Sequence, residues 1–325
     1  MAVKSASVGT ERNNGDSLSG WAGAGEDQIL RALRVHNGPV PELPEVEALT
    51  TLLAEKMTGQ PIRRCELASF SALKTVSPSL DELIGRLSAG CSRRGKYVCF
   101  DLDGVWLVAH LARAGWIRWY DKVPATTGRP AKSPLALRVG LDNGSGFDIS
   151  EMGTEKNLAL WIVDSPDQVE GIADLGIDPM SSTFTPSELA RLLGGISATI
   201  KTALTTQSLI AGVGNAYSDE ALHAAGLSPY KLAAKLDRAE ILGLHHALVE
   251  VLREGVVRSR GLSAAELKGD KKRSMRVHGR TGEACPVCGD TVHQVSFATK
   301  SMQYCPTCQT GGRQLADRRL SRLLK

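Results

Sequence analysis

No stretch of this chain comes near the roughly 18 consecutive apolar residues needed to cross a bilayer. Its N-terminus likewise lacks the apolar core of a secretory leader. Membrane insertion and export are therefore not expected; a cytoplasmic protein with reduced thiols is. No internal repeat is visible, which excludes a repeat architecture. Nor is there a large overall charge, since the formal net charge is only +4 over 325 residues. That charge is unevenly placed. From Lys268 to the C-terminus twelve Lys/Arg stand against four Asp/Glu, so the rest of the chain is net acidic. A basic end on an otherwise acidic protein points to a polyanion as its partner.

What is present suggests two domains and a small further module. Residues 1–40, rich in Gly, Ser, Asn and charge, read as a disordered extension or one wrongly assigned to the protein. The first folded segment opens at Pro41-Glu42-Leu43-Pro44-Glu45-Val46-Glu47. Its prolines suit a helix entry, where a missing N–H costs nothing, and its glutamates face the positive end of the helix dipole. Val46, Leu49, Leu52 and Leu53 then recur at helical spacing until Gly59-Gln60-Pro61. From Pro61 the pattern shortens to β-rich runs at 62–67, 97–102, 105–111, 116–120, 135–141, 146–149 and 158–163. A short helix is expected at 79–87 and a loop over 122–133. Strands without regular intervening helices argue for an antiparallel sandwich or barrel. After Pro166 the chain turns helical, at 186–193, 200–204, 217–225 and 235–255, and residues 268–273 read as a basic loop.

The most specific spacing is Cys285-Pro286-Val287-Cys288, sixteen residues, then Cys305-Pro306-Thr307-Cys308. Paired C-x2-C knuckles at this separation fit a closed tetrahedral zinc site on a β-hairpin. Redox CxxC pairs normally come singly, within a βαβ pattern. Four thiolates leave no open position, so this one structural zinc folds the module and activates no water. It would supply on the order of 10–16 kcal/mol of metal-dependent folding energy. Cys65, Cys91 and Cys99 lie scattered in apolar strands and read as core thiols.

Together, the PELPEVE opening, the β-rich first domain, the helical part carrying Gly212-Val213-Gly214-Asn215 and the C-terminal zinc hairpin resemble the formamidopyrimidine-DNA glycosylase/endonuclease VIII family. The likeness runs from Pro41 to Cys308. It implies an α+β protein with an N-terminal antiparallel β-sandwich behind a leading helix (41–165), a helix–two-turn–helix domain (166–275), a four-cysteine zinc hairpin (276–310) and a basic tail (311–325). The activity implied is that of a bifunctional DNA glycosylase/AP lyase of base excision repair. It would be a monomer on damaged double-stranded DNA, cytoplasmic and associated with the nucleoid. Pro41 matches the family's proline nucleophile, Glu42 its proton-shuttling acid and Lys96 the lysine that contacts phosphate near the lesion. Lys201 and Asn215 match the phosphate contacts of the helix–two-turn–helix, and Lys300 stands where an arginine usually reaches phosphate from the zinc hairpin.

Three departures bear on substrate. Arg113 replaces the methionine that fills the space left by the flipped base. The family's other fillers are replaced by 148–156, where Met152 or Lys156 are candidates. The loop over the base is shortened to 268–275. The alternatives are an enzyme acting mainly on abasic sites or oxidised pyrimidines, and a non-catalytic binder of damaged DNA. In the chain as written, Pro41 follows Val40, so its nitrogen is acylated. A catalytic proline implies Val40 as the true start, read as initiator methionine and removed.

Overall fold

A computed structural model of the chain describes residues 41–125, 133–152, 155–262, 264–297 and 300–316. The expected extension 1–40, most of the 122–133 loop and the end of the tail lie outside the described residues. Helix α1, Leu43–Met57, begins where the sequence places it, and Glu45 Oε2 accepts the Glu42 N–H at 2.8 Å. Two antiparallel sheets follow. One has the order β1-β6-β7-β5, from Ile62–Leu67 (β1), Gly115–Tyr120 (β5), Leu135–Leu141 (β6) and Gly146–Glu151 (β7). The other runs β2-β3-β4-β8, from Gly90–Arg94 (β2), Tyr97–Asp101 (β3), Trp106–His110 (β4) and Ala159–Val163 (β8).

The sheets share one core. Leu137, Val139 and Ile149 of the first and Val98, Leu107 and Leu160 of the second are all buried in it, and Phe147 stacks on Phe100 with ring centroids 4.8 Å apart. Val46, Leu49, Leu53 and Met57 of α1 close the same core. The three scattered cysteines behave as expected: burial pushes the thiols of Cys65 and Cys99 up to about 12, which leaves them protonated and inert.

The helical part comprises α2 (Glu170–Ala173), α3 (Pro186–Gly194), α4 (Ile200–Thr205), α5 (Asn215–Ala224), α6 (Arg238–Ser259) and α7 (Ala264–Ser274). Its core is built from Leu189, Leu204, Tyr217, Leu222, Leu244 and Leu252, and it also takes in Leu43. Helix α1 therefore contributes to both cores, with Leu43 facing one and Val46 the other. A hairpin of β9 (His293–Phe297) and β10 (Lys300–Tyr304), then the short α8 (Pro306–Thr310), ends the described chain.

Two local expectations are corrected, and one strand that was not expected is added. Only a single turn of 3-10 helix forms within 79–87, at Leu80–Leu83, and Gly85 leaves it at φ +85°. Strand β2 was invisible to periodicity because Gly-Cys-Ser-Arg-Arg alternates no apolar face; its pairing with β3 is a backbone matter. The basic run 268–273 is not a loop but part of α7. That helix has no apolar stripe, and it is held instead by single buried anchors, Leu267 and Lys271.

Across the junction of the two parts lies Arg93. Its Nε meets Glu47 of α1 at 2.8 Å, one terminal nitrogen meets Asp178 at 2.6 Å, and the other donates to the Gly95 carbonyl at 3.2 Å. The guanidinium is buried while both carboxylates keep partial access to water. Arg93→Met should therefore cost about 3 kcal/mol, the low end for a buried pair broken from one side. Urea unfolding of the two proteins measures this; equal midpoints would show that the bridge contributes nothing.

Candidate functional site

Pro41 is buried, and the side chain after it accepts three backbone N–H groups. Glu42 Oε2 accepts the Gly214 N–H at 2.8 Å and the Tyr217 N–H at 3.2 Å; Oε1 accepts the Ala216 N–H at 2.9 Å. These are amides of the first turn of α5, where orphan N–H groups and the helix dipole favour an anion. The turn preceding α5 is shaped for the contact. Gly212 sits at φ +82° and gives its carbonyl to the Leu43 N–H at 3.0 Å. A Cβ on Gly214 would lie 2.4 Å from Cδ of Glu42. Glycine is thus required at both positions, for backbone conformation at one and for space at the other.

A second carboxylate backs the first. Glu45 accepts from the Tyr217 hydroxyl at 2.8 Å and from Lys271 at 3.0 Å, and the Lys271 ammonium also lies 3.9 Å from Glu42. Lys96 occupies the β2–β3 turn, next to Gly95, whose carbonyl oxygen would be 3.2 Å from a Cβ on Gly212. Burial pushes the Glu42 carboxyl up, but Lys271, Lys96 and the Ala216 N–H outweigh that and hold it below its ordinary range. The fold thus brings together Pro41, Glu42 and Lys96, which the sequence had singled out. Glu45, Tyr217 and Lys271 were missed. Glu45 read as a helix-dipole residue, Tyr217 only as the start of a helix, and Lys271 was hidden in a run read as a basic loop.

Lys201 is not a free surface cation. Its ammonium is buried and donates to the Asn215 carbonyl, the Ser218 hydroxyl and the Asp219 carboxylate. Asp219 also accepts from His278 Nδ1 at 2.8 Å and from the Gln303 N–H at 3.2 Å. The Asn215 side-chain amide donates to the Ser301 carbonyl in the hairpin. Lys201 and Asn215 are thereby joined at one end of α5, beside β10. The side chain of Lys300 lies outside the described residues.

Arg113 makes none of these contacts. It is exposed at the tip of the β4–β5 turn, after Ala112 at φ +50°. The neighbouring turn after β7 abuts it, with the Met152 N–H donating to the Ala114 carbonyl at 3.0 Å, and Met152 is exposed too. Lys156, by contrast, is tied back to the Glu151 carbonyl at 2.6 Å. His110 packs against the Tyr97 ring, and burial, aided by Lys96, holds its pKa down to about 4. It is therefore neutral at physiological pH.

The four cysteines converge. Their sulfurs all lie within 4.8 Å of one another, with Cys285–Cys308 at 3.9 Å and Cys288–Cys305 at 3.3 Å. Tetrahedral coordination at about 2.3 Å per Zn–S bond places thiolates about 3.8 Å apart, so the cluster fits one zinc ion. Asp290 braces the two knuckles by accepting from the Thr307 hydroxyl at 2.8 Å. Cys285, Cys288, Cys305 and Cys308 would hold the metal, and its contribution is the folding of the hairpin.

Comparison with known proteins agrees with this layout. Residues 40–152 match the formamidopyrimidine-DNA glycosylase N-terminal domain, 175–266 the H2TH domain of the same enzymes and 282–311 a zinc finger found in FPG and IleRS. An uncharacterized formamidopyrimidine-DNA glycosylase-like protein of Mycobacterium tuberculosis is 57% identical over 149 residues, 46% of this chain and 94% of that one. The formamidopyrimidine-DNA glycosylase of Symbiobacterium thermophilum is 35% identical, over 83% of this chain and 89% of its own. Among solved structures, the Lactococcus lactis enzyme noncovalently bound to DNA containing an AP site has a TM-score of 0.71 at 28% identity, covering 83% of this chain and 99% of that one. The same enzyme on DNA with an oxidized pyrimidine reaches 0.73 at 29% identity, covering 83% and 100%. With the whole length from the PELPEVE helix to the zinc hairpin accounted for, the chain belongs to the formamidopyrimidine-DNA glycosylase family.

Proposed function

We propose that this protein is a bifunctional DNA glycosylase/AP lyase of base excision repair, which removes oxidised bases from duplex DNA and then cuts the strand. The observation that carries the reading is the Glu42 carboxylate, pinned to the N-terminus of α5 directly beside Pro41. The Pro41 nitrogen, as a secondary amine, attacks C1′ of the damaged nucleotide, and the base leaves with the electrons of the glycosidic bond. Ionised Glu42 takes the proton from the attacking ammonium and delivers it to the ring oxygen as the sugar opens. The resulting iminium acidifies the C2′ proton. Its loss breaks the C3′–O bond, and a second elimination breaks the C5′–O bond. Asn215, Lys300 and Lys96 bind phosphates around the lesion, and Lys201, from α4, sets the seat by holding the Asn215 carbonyl.

The relatives solved with Fapy-dG and with oxidized-pyrimidine DNA support a range that includes both lesion classes. Arg113 and Met152, on touching turns, are the side chains placed to enter the duplex where the base leaves. The protein is further proposed to act as a monomer, on the DNA of the nucleoid. Among the described residues no helix is long and apolar enough to cross a membrane.

The chemistry needs an unacylated nitrogen on Pro41, so the active form begins there. The start of the N-terminal domain match at residue 40 supports Val40 as the initiating position. Borohydride treatment with abasic-site duplex should give a covalent adduct that maps to Pro41, in protein whose intact mass begins at that residue. Protein with this N-terminus and no adduct would overturn the lyase reading and favour a non-catalytic binder. Gly214→Ala should lower excision on the order of 10²-fold, the usual cost of displacing a catalytic group by about 1 Å. Single-turnover kinetics reads this, and an unchanged rate would remove Glu42 from the reaction. Stripping zinc with a chelator should abolish duplex binding while near-ultraviolet dichroism of the sandwich aromatics persists; retained binding would count against the hairpin.

A further inference from the structure

One buried contact outside the groups assigned above joins the helical part to the cysteine cluster. His223, in the last turn of α5, is only 4% exposed, and its Nε2 lies 3.3 Å from Sγ of Cys285. Its other ring nitrogen, Nδ1, is also buried and has no hydrogen-bond partner among the described residues. The two observations together decide the tautomer. A zinc-bound thiolate can only accept, so Nε2 must carry the hydrogen and Nδ1 the lone pair. The opposite tautomer would create two defects at once, a lone pair facing sulfur lone pairs and an N–H buried without an acceptor.

We infer that His223 is an outer-sphere residue of the zinc centre, which donates Nε2–H to the Cys285 thiolate and so fastens the metal site to helix α5. The need for such a donor is electrostatic. Zinc with four thiolates is a net dianion, and Cys285 is buried where water cannot solvate its share of that charge. An N–H···S bond withdraws density from the sulfur and fixes its direction. The seat is shared with other contacts of the same kind. Glu220, one turn earlier on α5, accepts the N–H groups of Arg276, Val277 and His278, and Gln309 donates to the Leu227 carbonyl at 2.9 Å. Two turns further back on α5 is Asn215, so one rigid helix connects the metal site to the phosphate-binding turn. This inference rests on the zinc assignment and not on the catalytic mechanism.

The test uses the full-length, metal-loaded protein and two variants. His223→Phe keeps the ring volume and removes the donor; His223→Gln can place an amide N–H near the same point. Zinc transfer to a chromophoric chelator should show affinity about 10–100-fold weaker in the Phe variant, with most of the loss restored by Gln. In cobalt-substituted protein the thiolate-to-metal charge-transfer band should move to lower energy in the Phe variant alone. Long-range 15N–1H correlation of the zinc-loaded wild type should show His223 as the Nε2–H tautomer, and this readout stands even if the Phe variant does not fold. An Nδ1–H tautomer, or a folded Phe variant with unchanged zinc affinity and charge-transfer energy, would overturn the inference.

Discussion

The meeting of α1 and α5 depends on one carboxylate being held by three amides. Glu42 is buried, and an ion of its size out of water is costly by several kcal/mol unless its oxygens are satisfied. The Gly214, Ala216 and Tyr217 N–H groups satisfy them, each charge-assisted bond worth about 1.5–3 kcal/mol. The contact spans 172 residues of sequence, and it is what sets the N-terminus of α1 against the N-terminus of α5. Because the carboxyl is held below its ordinary range, its ionised form stabilises the native state above the unfolded value. That stabilisation is lost as the pH falls through the depressed folded value.

Helix α5 does three things with its few turns. Its N-terminus holds Glu42. Tyr217, Ala221 and Leu222 bury it in the helical core, and Asn215, Asp219, Glu220 and His223 face the hairpin. The last four recur at helical spacing, so a single rigid face carries every one of these contacts. The hairpin and the Glu42 seat are therefore held by the same helix. That arrangement accounts for why a metal that does no chemistry belongs in the same protein as a site that does.

Much of this was legible in the residues, and the reasons for the exceptions are specific. Cysteine spacing shows a metal site because coordination geometry admits few alternatives. The strands from Ile62 to Val163 show in alternation because each sheet has one face in a common core. Pro41, Glu42 and Lys96 could be picked out only through the family resemblance, since a capped helix start and a strand-end lysine look ordinary alone. Strand β2 and helix α7 were misread because neither has an apolar periodicity: one is held by backbone pairing and the other by isolated anchors. Lys271, Asp219 and His223 draw their meaning wholly from partners far away in sequence. A lysine inside a run of three basic residues carries no local mark of being the one that turns inward.

In the mechanism proposed above, the placement of Lys271 bears on the reactivity of the neighbouring proline. Two carboxylates, Glu42 and Glu45, lie close to Pro41, and left alone they would favour a protonated ammonium there and suppress a nucleophilic amine. Neither is left alone. Glu42 is occupied by the amides of α5, and Glu45 by the Glu42 N–H, the Tyr217 hydroxyl and the Lys271 ammonium. Lys96 adds positive field from the β2–β3 turn, and the N-terminus of α1 adds its own. The negative charge of the acid pair is thus largely matched by hydrogen-bond donors and by the Lys271 ammonium. For the mechanism proposed above, these cations and the helix dipole act in the direction of an unprotonated amine, and Glu42 is the carboxylate next to it.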